Sequence, residues 1–70
     1  MNALNIETKN GIKYWARATD SELDEFKDDV TYYERDYAEV KCAKTKRTLV
    51  FKRSEISAYS YGKVGEEGSQ

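Results

Sequence analysis

Most side chains that could do chemistry in this chain lie in two segments of opposite charge. Residues 20–39 include nine acidic residues and two basic ones, whereas residues 41–53 include six basic residues and no acidic one. The formal net charge of −1 therefore conceals two charged segments, each long enough to form a patch on a folded protein. What these patches can bind depends on the elements that position them.

The residue inventory argues against catalysis. The chain has no histidine, the commonest general base, and its one cysteine, Cys42, falls in a predicted strand, where a thiol usually acts as a small apolar side chain. Zinc sites need several cysteine and histidine ligands. Asp24, Asp28 and Asp29 could hold Mg²⁺ or form an acid–base pair, but their spacing does not match a calcium-binding loop. We therefore expect a protein that is not an enzyme and that binds no metal or cofactor.

The acidic segment is predicted to be a docking surface for a protein partner that has a basic surface. Carboxylates on successive turns of a helix lie about 5.4 Å apart and can imitate a row of phosphates. Exposed aromatic side chains supply the desolvated contacts that slow dissociation. The predicted partner-binding residues are Glu22, Asp24, Glu25, Asp28, Asp29, Tyr32, Tyr33 and Trp15. In its small size, lack of histidine and acidic face, the chain resembles phage-encoded inhibitors of host enzymes, which implies an inhibitor or an adaptor.

The basic segment supports a second hypothesis, the binding of single-stranded nucleic acid. Such proteins combine a basic strip with aromatic side chains on which bases stack. The residues predicted for this role are Lys41, Lys44, Lys46, Arg47, Lys52, Arg53, Tyr59 and Tyr61, with Trp15 as a further stacking platform. Because the sequence pI is about 5.4 and nucleic-acid-binding domains are usually basic, a protein partner is favoured over a nucleic acid.

Two other interpretations of these residues stay open. In the first interpretation, both charged segments are simply solvated faces of the protein, as runs of charged residues usually are. In the second, the last strands contact another copy of the chain, and Tyr59 and Tyr61 form part of a homodimer interface.

The Asn10-Gly11 pair between two alternating segments predicts a β-hairpin. A two-residue loop would mix apolar and charged residues on one face of the hairpin. A three-residue loop over 9–11 instead gives an apolar face made of Leu4, Ile6, Ile12, Tyr14 and Ala16. Because only this register gives a clean core face, we predict that Trp15 points away from the core.

The remaining periodicity predicts one helix and three further strands. Capping residues at 19–21 precede apolar residues at helical spacing, which predicts a short helix over 20–31. Alternation predicts strands over 37–43, 48–53 and 56–61, with turns at 44–47 and 53–55. The fold class is therefore α+β with the order β-β-α-β-β-β, one short acidic helix packed on a curled, mostly antiparallel sheet. The segment TLVFKRSEISAY resembles the closing strands of Sm-like and SH3-like proteins, which implies a small barrel.

Residues 1–61 are predicted to form a single domain and residues 62–70 a flexible polar tail. The sequence has no apolar segment of membrane-spanning length and no pattern typical of a secretory signal. A single cysteine cannot form an internal disulfide, which is usual in a reducing compartment. We expect a cytoplasmic protein that does not contact membranes.

Overall fold

Five strands and one α-helix follow the predicted order in the computed structural model, which describes residues 1–64. The elements are β1 (Asn2–Thr8), β2 (Lys13–Ala18), α1 (Asp20–Lys27), a π-helical turn (Asp28–Tyr32), β3 (Tyr37–Lys41), β4 (Thr48–Lys52), a 3-10 turn (Arg53–Glu55) and β5 (Ile56–Lys63). The strands form two antiparallel sheets, one ordered β2-β1-β5 and the other β3-β4. The α+β class is confirmed, whereas this pairing does not demonstrate a closed barrel.

The hairpin of β1 and β2 has the register that a three-residue loop requires. Leu4 pairs with Ala16, and both are fully buried. Trp15 lies on the opposite face of the sheet and is 49% exposed, so its predicted outward direction is confirmed. The prediction for Ile12 was wrong: this residue is 46% exposed because it lies in the hairpin loop, beyond the last residue pair of the ladder.

One hydrophobic core joins both sheets to α1. Its buried residues are Leu4, Ile6, Ala16, Ala18, Leu23, Phe26, Ala38, Val40, Cys42 and Phe51. Phe26 of α1 is fully buried, and its ring contacts the ring of Tyr59 on β5 edge-on at 5.3 Å between centroids. Tyr14 was also predicted in the core; its ring contacts Phe51 at 5.2 Å, but the side chain stays partly exposed at the edge.

The helix begins where it was predicted and changes its hydrogen bonding before its predicted end. The hydroxyl of Thr19 caps its N-terminus, as short polar side chains commonly do. Regular α-helical geometry stops at Lys27, and the next five residues form the π-helical turn. The N–H of Tyr33 closes this turn by donating to the Asp28 carbonyl at 2.7 Å. Glu34, at a φ of 52°, then adopts the left-handed conformation that often ends a helix.

The last strand is longer than predicted. It continues through Gly62 and Lys63, which were predicted to belong to the flexible tail. The Lys63 ammonium lies 2.9 Å from a carboxylate oxygen of Asp20, and this ion pair joins the end of β5 to the start of α1. The rest of the predicted tail, residues 65–70, lies outside the described residues. None of the helices in residues 1–64 has the length and apolar character needed to cross a bilayer.

Candidate functional site

An acidic groove lies between the helical segment and the outer face of β3. Its volume is about 410 Å³. Its charged lining residues are Glu22, Glu25, Asp29, Glu39, Arg35 and Lys41. Four carboxylates against two cations leave the groove negative, and we call this surface the acidic groove from here on.

Two of these carboxylates hold the groove together. A carboxylate oxygen of Glu22 accepts the backbone N–H of Lys41 at 3.2 Å, which attaches α1 to the end of β3. The Asp29 carboxylate accepts a hydrogen bond from Nε of Arg35 at 3.0 Å. The Asp29 carbonyl accepts a second hydrogen bond, from the Arg35 backbone N–H, at 2.9 Å. These contacts fix the loop that leads from the π-helical turn into β3.

The other two carboxylates are available to a partner. Among the described residues, neither Glu25 nor Glu39 has a cationic group within salt-bridge distance. Both side chains belong to exposed residues. A basic group that enters the acidic groove would therefore meet two carboxylates that no internal ion pair neutralises.

Three exposed tyrosines lie between the π-helical turn and the start of β3, and one of them lines the acidic groove. Tyr32, Tyr33 and Tyr37 are 76%, 56% and 59% exposed. The rings of Tyr32 and Tyr33 meet edge-on at 4.9 Å, and the Arg35 guanidinium lies 4.9 Å from the Tyr33 ring centroid. Tyr37 lines the groove itself. The π-helical turn places the first two rings side by side at the end of the helical segment, where aromatic side chains are common contact residues.

The predicted acidic residues do not form one continuous face. Asp24 lies on the other side of α1, in a depression that Asp20 and Lys63 also line, and it approaches Lys27 at 3.9 Å. In that depression, the hydrogen bond from the Asn2 amide and then the Lys63 ammonium lower the pKa of Asp20. Of the five carboxylates predicted to bind a partner, only three therefore line the acidic groove, and Asp28 is exposed outside it.

Trp15 does not share a surface with the acidic groove. It lies on the outer face of the three-stranded sheet, whereas α1 packs against the inner face through residues such as Phe26. The Arg17 guanidinium lies 5.4 Å from the centroid of the indole ring. Grouping Trp15 with the acidic residues was therefore wrong, because the sheet separates them.

The predicted basic strip is divided among three places. Lys41 borders the acidic groove, whereas Lys44, Lys46 and Arg47 lie in the turn between β3 and β4. Lys52 and Arg53 follow at the other end of β4, about 13 Å away along the strand. The six basic side chains therefore do not form one strip, because the residues in the turn and those after β4 lie at opposite ends of that strand.

The two tyrosines predicted as stacking platforms face the helix. Tyr59 is half-buried against Phe26, and the Lys27 ammonium lies 4.7 Å from the ring centroid of Tyr61. A hydrogen bond with the side chain of Tyr61 raises the pKa of Lys27. Both side chains therefore lie on the core side of β5 and not on its outer face, although Tyr61 remains 50% exposed. A homodimer interface through these two side chains stays a prediction.

Glu39 and Arg35 are the charged groove residues that sequence reasoning missed. Alternation in β3 does place Tyr37, Glu39 and Lys41 on one face. The sequence carries no signal, however, that α1 lies beside this strand, so the contribution of β3 to the acidic groove becomes visible only in the fold.

No group of three or more Asp, Glu or Cys side chains within residues 1–64 is arranged to hold a metal ion. Comparison of the chain with known protein families, curated proteins and solved structures gave no match.

Proposed function

We propose that this chain is a non-catalytic protein-binding module, an inhibitor or adaptor, that engages a basic surface of a partner through the acidic groove. The observation that carries the proposal is the pair Glu25 and Glu39, two carboxylates from different elements that line one groove and that, within residues 1–64, have no cationic group at salt-bridge distance. A lysine or arginine of a partner would complete these ion pairs. Charges of this kind raise the association rate and select the partner.

The exposed tyrosines would provide the second part of the interface. Tyr33 contacts Arg35, which lines the groove, and Tyr37 lines the groove itself; each of the two tyrosines exposes more than half of its surface. Tyrosine ranks with tryptophan and arginine among the residues that contribute most to binding free energy. We infer that the carboxylates guide the partner in and that the rings slow its release.

A cytoplasmic location is part of the same proposal. Cys42 is a free, buried thiol. Free cysteines are typical of reducing compartments, where partners with basic, nucleic-acid-binding surfaces are also found.

The experiment compares two charge reversals that change the net charge equally. Glu25→Lys places a cation in the acidic groove, whereas Glu55→Lys places one in the 3-10 turn before β5, outside the groove. Each tagged variant, and the unmodified chain, is used to capture proteins from nuclease-treated lysate, and circular dichroism checks that the variants fold. A protein retained by the unmodified chain and by Glu55→Lys, but not by Glu25→Lys, would support the proposal. Equal capture by all three would contradict it.

A further inference from the structure

The outer face of the three-stranded sheet carries a second charged and aromatic surface. Lys13, Trp15 and Arg17 alternate along β2 and point away from the core. Trp15 exposes about half of its surface, and Arg17 lies over its ring. An indole beside cationic side chains is the combination on which single-stranded nucleic acid stacks.

A cleft of about 380 Å³ lies beside this row of residues. It forms because the outward side chains of β5 are small: Ala58 and Ser60 lie next to Asn5 of β1. Lys13 and Glu7 complete its charged lining. The Asn5 amide and the Ser60 hydroxyl can donate and accept hydrogen bonds at the edge of an unpaired base. The size falls within the range of small-ligand sites.

The turn between β3 and β4 is attached to the same edge of the sheet. The backbone N–H of Ala43 donates to the Arg17 carbonyl at 2.7 Å, and the Arg17 N–H donates to Sγ of Cys42 at 3.3 Å. Within the turn, the Cys42 N–H donates to the Arg47 carbonyl at 2.8 Å, and the Lys46 N–H donates to the Cys42 carbonyl at 2.8 Å. The start of the turn is therefore hydrogen-bonded to the backbone of Arg17, which places the segment that carries Lys44, Lys46 and Arg47 beside the end of β2.

We propose that the outer face of the three-stranded sheet and the β3–β4 turn bind single-stranded nucleic acid. Bases would contact Trp15 and the neighbouring cleft. Phosphates would contact the cations, which are Lys13, Arg17, Lys44, Lys46 and Arg47. This assignment replaces Tyr59, Tyr61 and the far end of β4 with residues that the fold brings together. Single strands fit better than duplexes because a duplex keeps its bases stacked on one another and away from an indole.

The proposal is independent of the acidic groove. The groove lies on the helical side of the molecule, whereas Trp15 lies on the opposite face of the sheet. The acidic overall pI is compatible with this arrangement, because nine of the 13 acidic residues lie in the segment 20–39. Glu7, opposite Lys13, is the one acidic residue that lines the cleft in the described part of the chain.

The test measures fluorescence anisotropy of a labelled oligothymidylate of about 12 nucleotides at low salt. Lys46→Glu should weaken binding about tenfold or more, because it replaces a phosphate contact with a repulsion. Lys52→Glu is the matched control: it makes the same charge change at the far end of β4 and should change the affinity by less than about twofold. Trp15→Leu should weaken binding about fivefold or more through lost stacking.

Salt and strandedness provide the remaining readouts. Five phosphate contacts predict a slope of log affinity against log salt of about −3.5 for a single strand. Failure to bind the oligonucleotide at low salt would overturn the proposal, as would equal losses in Lys46→Glu and Lys52→Glu. Tighter binding of a duplex, or preferential binding of polyglutamate, would overturn it as well, since neither ligand offers unpaired bases.

Discussion

Cys42 allows the most quantitative prediction about this protein. Its side chain is 1% exposed, and its sulfur accepts the backbone N–H of Arg17. Burial by itself would raise the pKa of this thiol. Hydrogen bonds from the Thr45 hydroxyl and from the backbone N–H groups of Arg17, Thr45 and Lys44 outweigh burial and lower the pKa of Cys42 to about 7. We therefore predict that the stability of the fold depends on pH through this buried thiol.

The sign and size of this effect follow from linkage. The pKa of an unfolded cysteine is about 8.5, so the pKa is depressed in the folded state. The stabilisation is fully present above about pH 8.5 and is lost as the pH falls through the folded pKa of about 7. A difference of about 1.5 pKa units corresponds to about 2 kcal/mol in the free energy of unfolding.

Urea unfolding of the unmodified chain and of Cys42→Ala, at several values between about pH 6 and pH 9, measures this quantity. The difference in unfolding free energy between the two proteins should rise by about 2 kcal/mol across the range, since every other titrating group is common to both. Thr45→Val removes the hydroxyl donor and should move the rise to higher pH. A difference that does not change with pH would refute the reasoning.

Three further predictions concern stability and titration. Lys46→Gly should raise the free energy of unfolding by about 1 kcal/mol in urea titrations, because Lys46 has a φ of 63°, where a β-carbon is strained. Phe26→Ala should cost about 3–5 kcal/mol, close to the whole stability expected for a chain of this size, and circular dichroism should show substantial unfolding. Asp20 should titrate by NMR below the usual range for a carboxyl, and Lys63→Met should bring its pKa back toward that range. The stability that Asp20 contributes should be lost as the pH falls through its lowered pKa.

Local patterns in the sequence predicted the elements and one register. The hairpin register followed from Leu4 and Ala16, since only one loop length places both on an apolar face. The cap at Thr19 and a tight turn at 53–55, before β5, also followed from local signals. Such features depend on residues that are close in the sequence. The alternation of a strand or the spacing of a helix is therefore enough to predict them.

Contacts between distant elements could not be predicted in this way. Alternation in β5 gives the same pattern whether Tyr59 and Tyr61 face the core or the solvent, and the position of α1 decides between the two. Trp15 was correctly directed outward, but nothing in the sequence shows on which side of the sheet the acidic helix packs. The acidic groove likewise depends on Glu39 of β3. This residue lies across the groove from Glu25 only because α1 packs beside β3 in the folded protein.

The most direct test of the central claim uses the partner protein that the unmodified chain captures. After this partner is purified, its affinity is measured for the Glu25→Lys variant and for the Glu55→Lys variant. Reversal of a charge inside the acidic groove should weaken this affinity about tenfold or more, which corresponds to about 1.4 kcal/mol. Reversal in the 3-10 turn should leave it within about twofold, because exposed charges distant from an interface contribute little to affinity. Equal affinities for the two variants would contradict the claim that this groove is the contact surface.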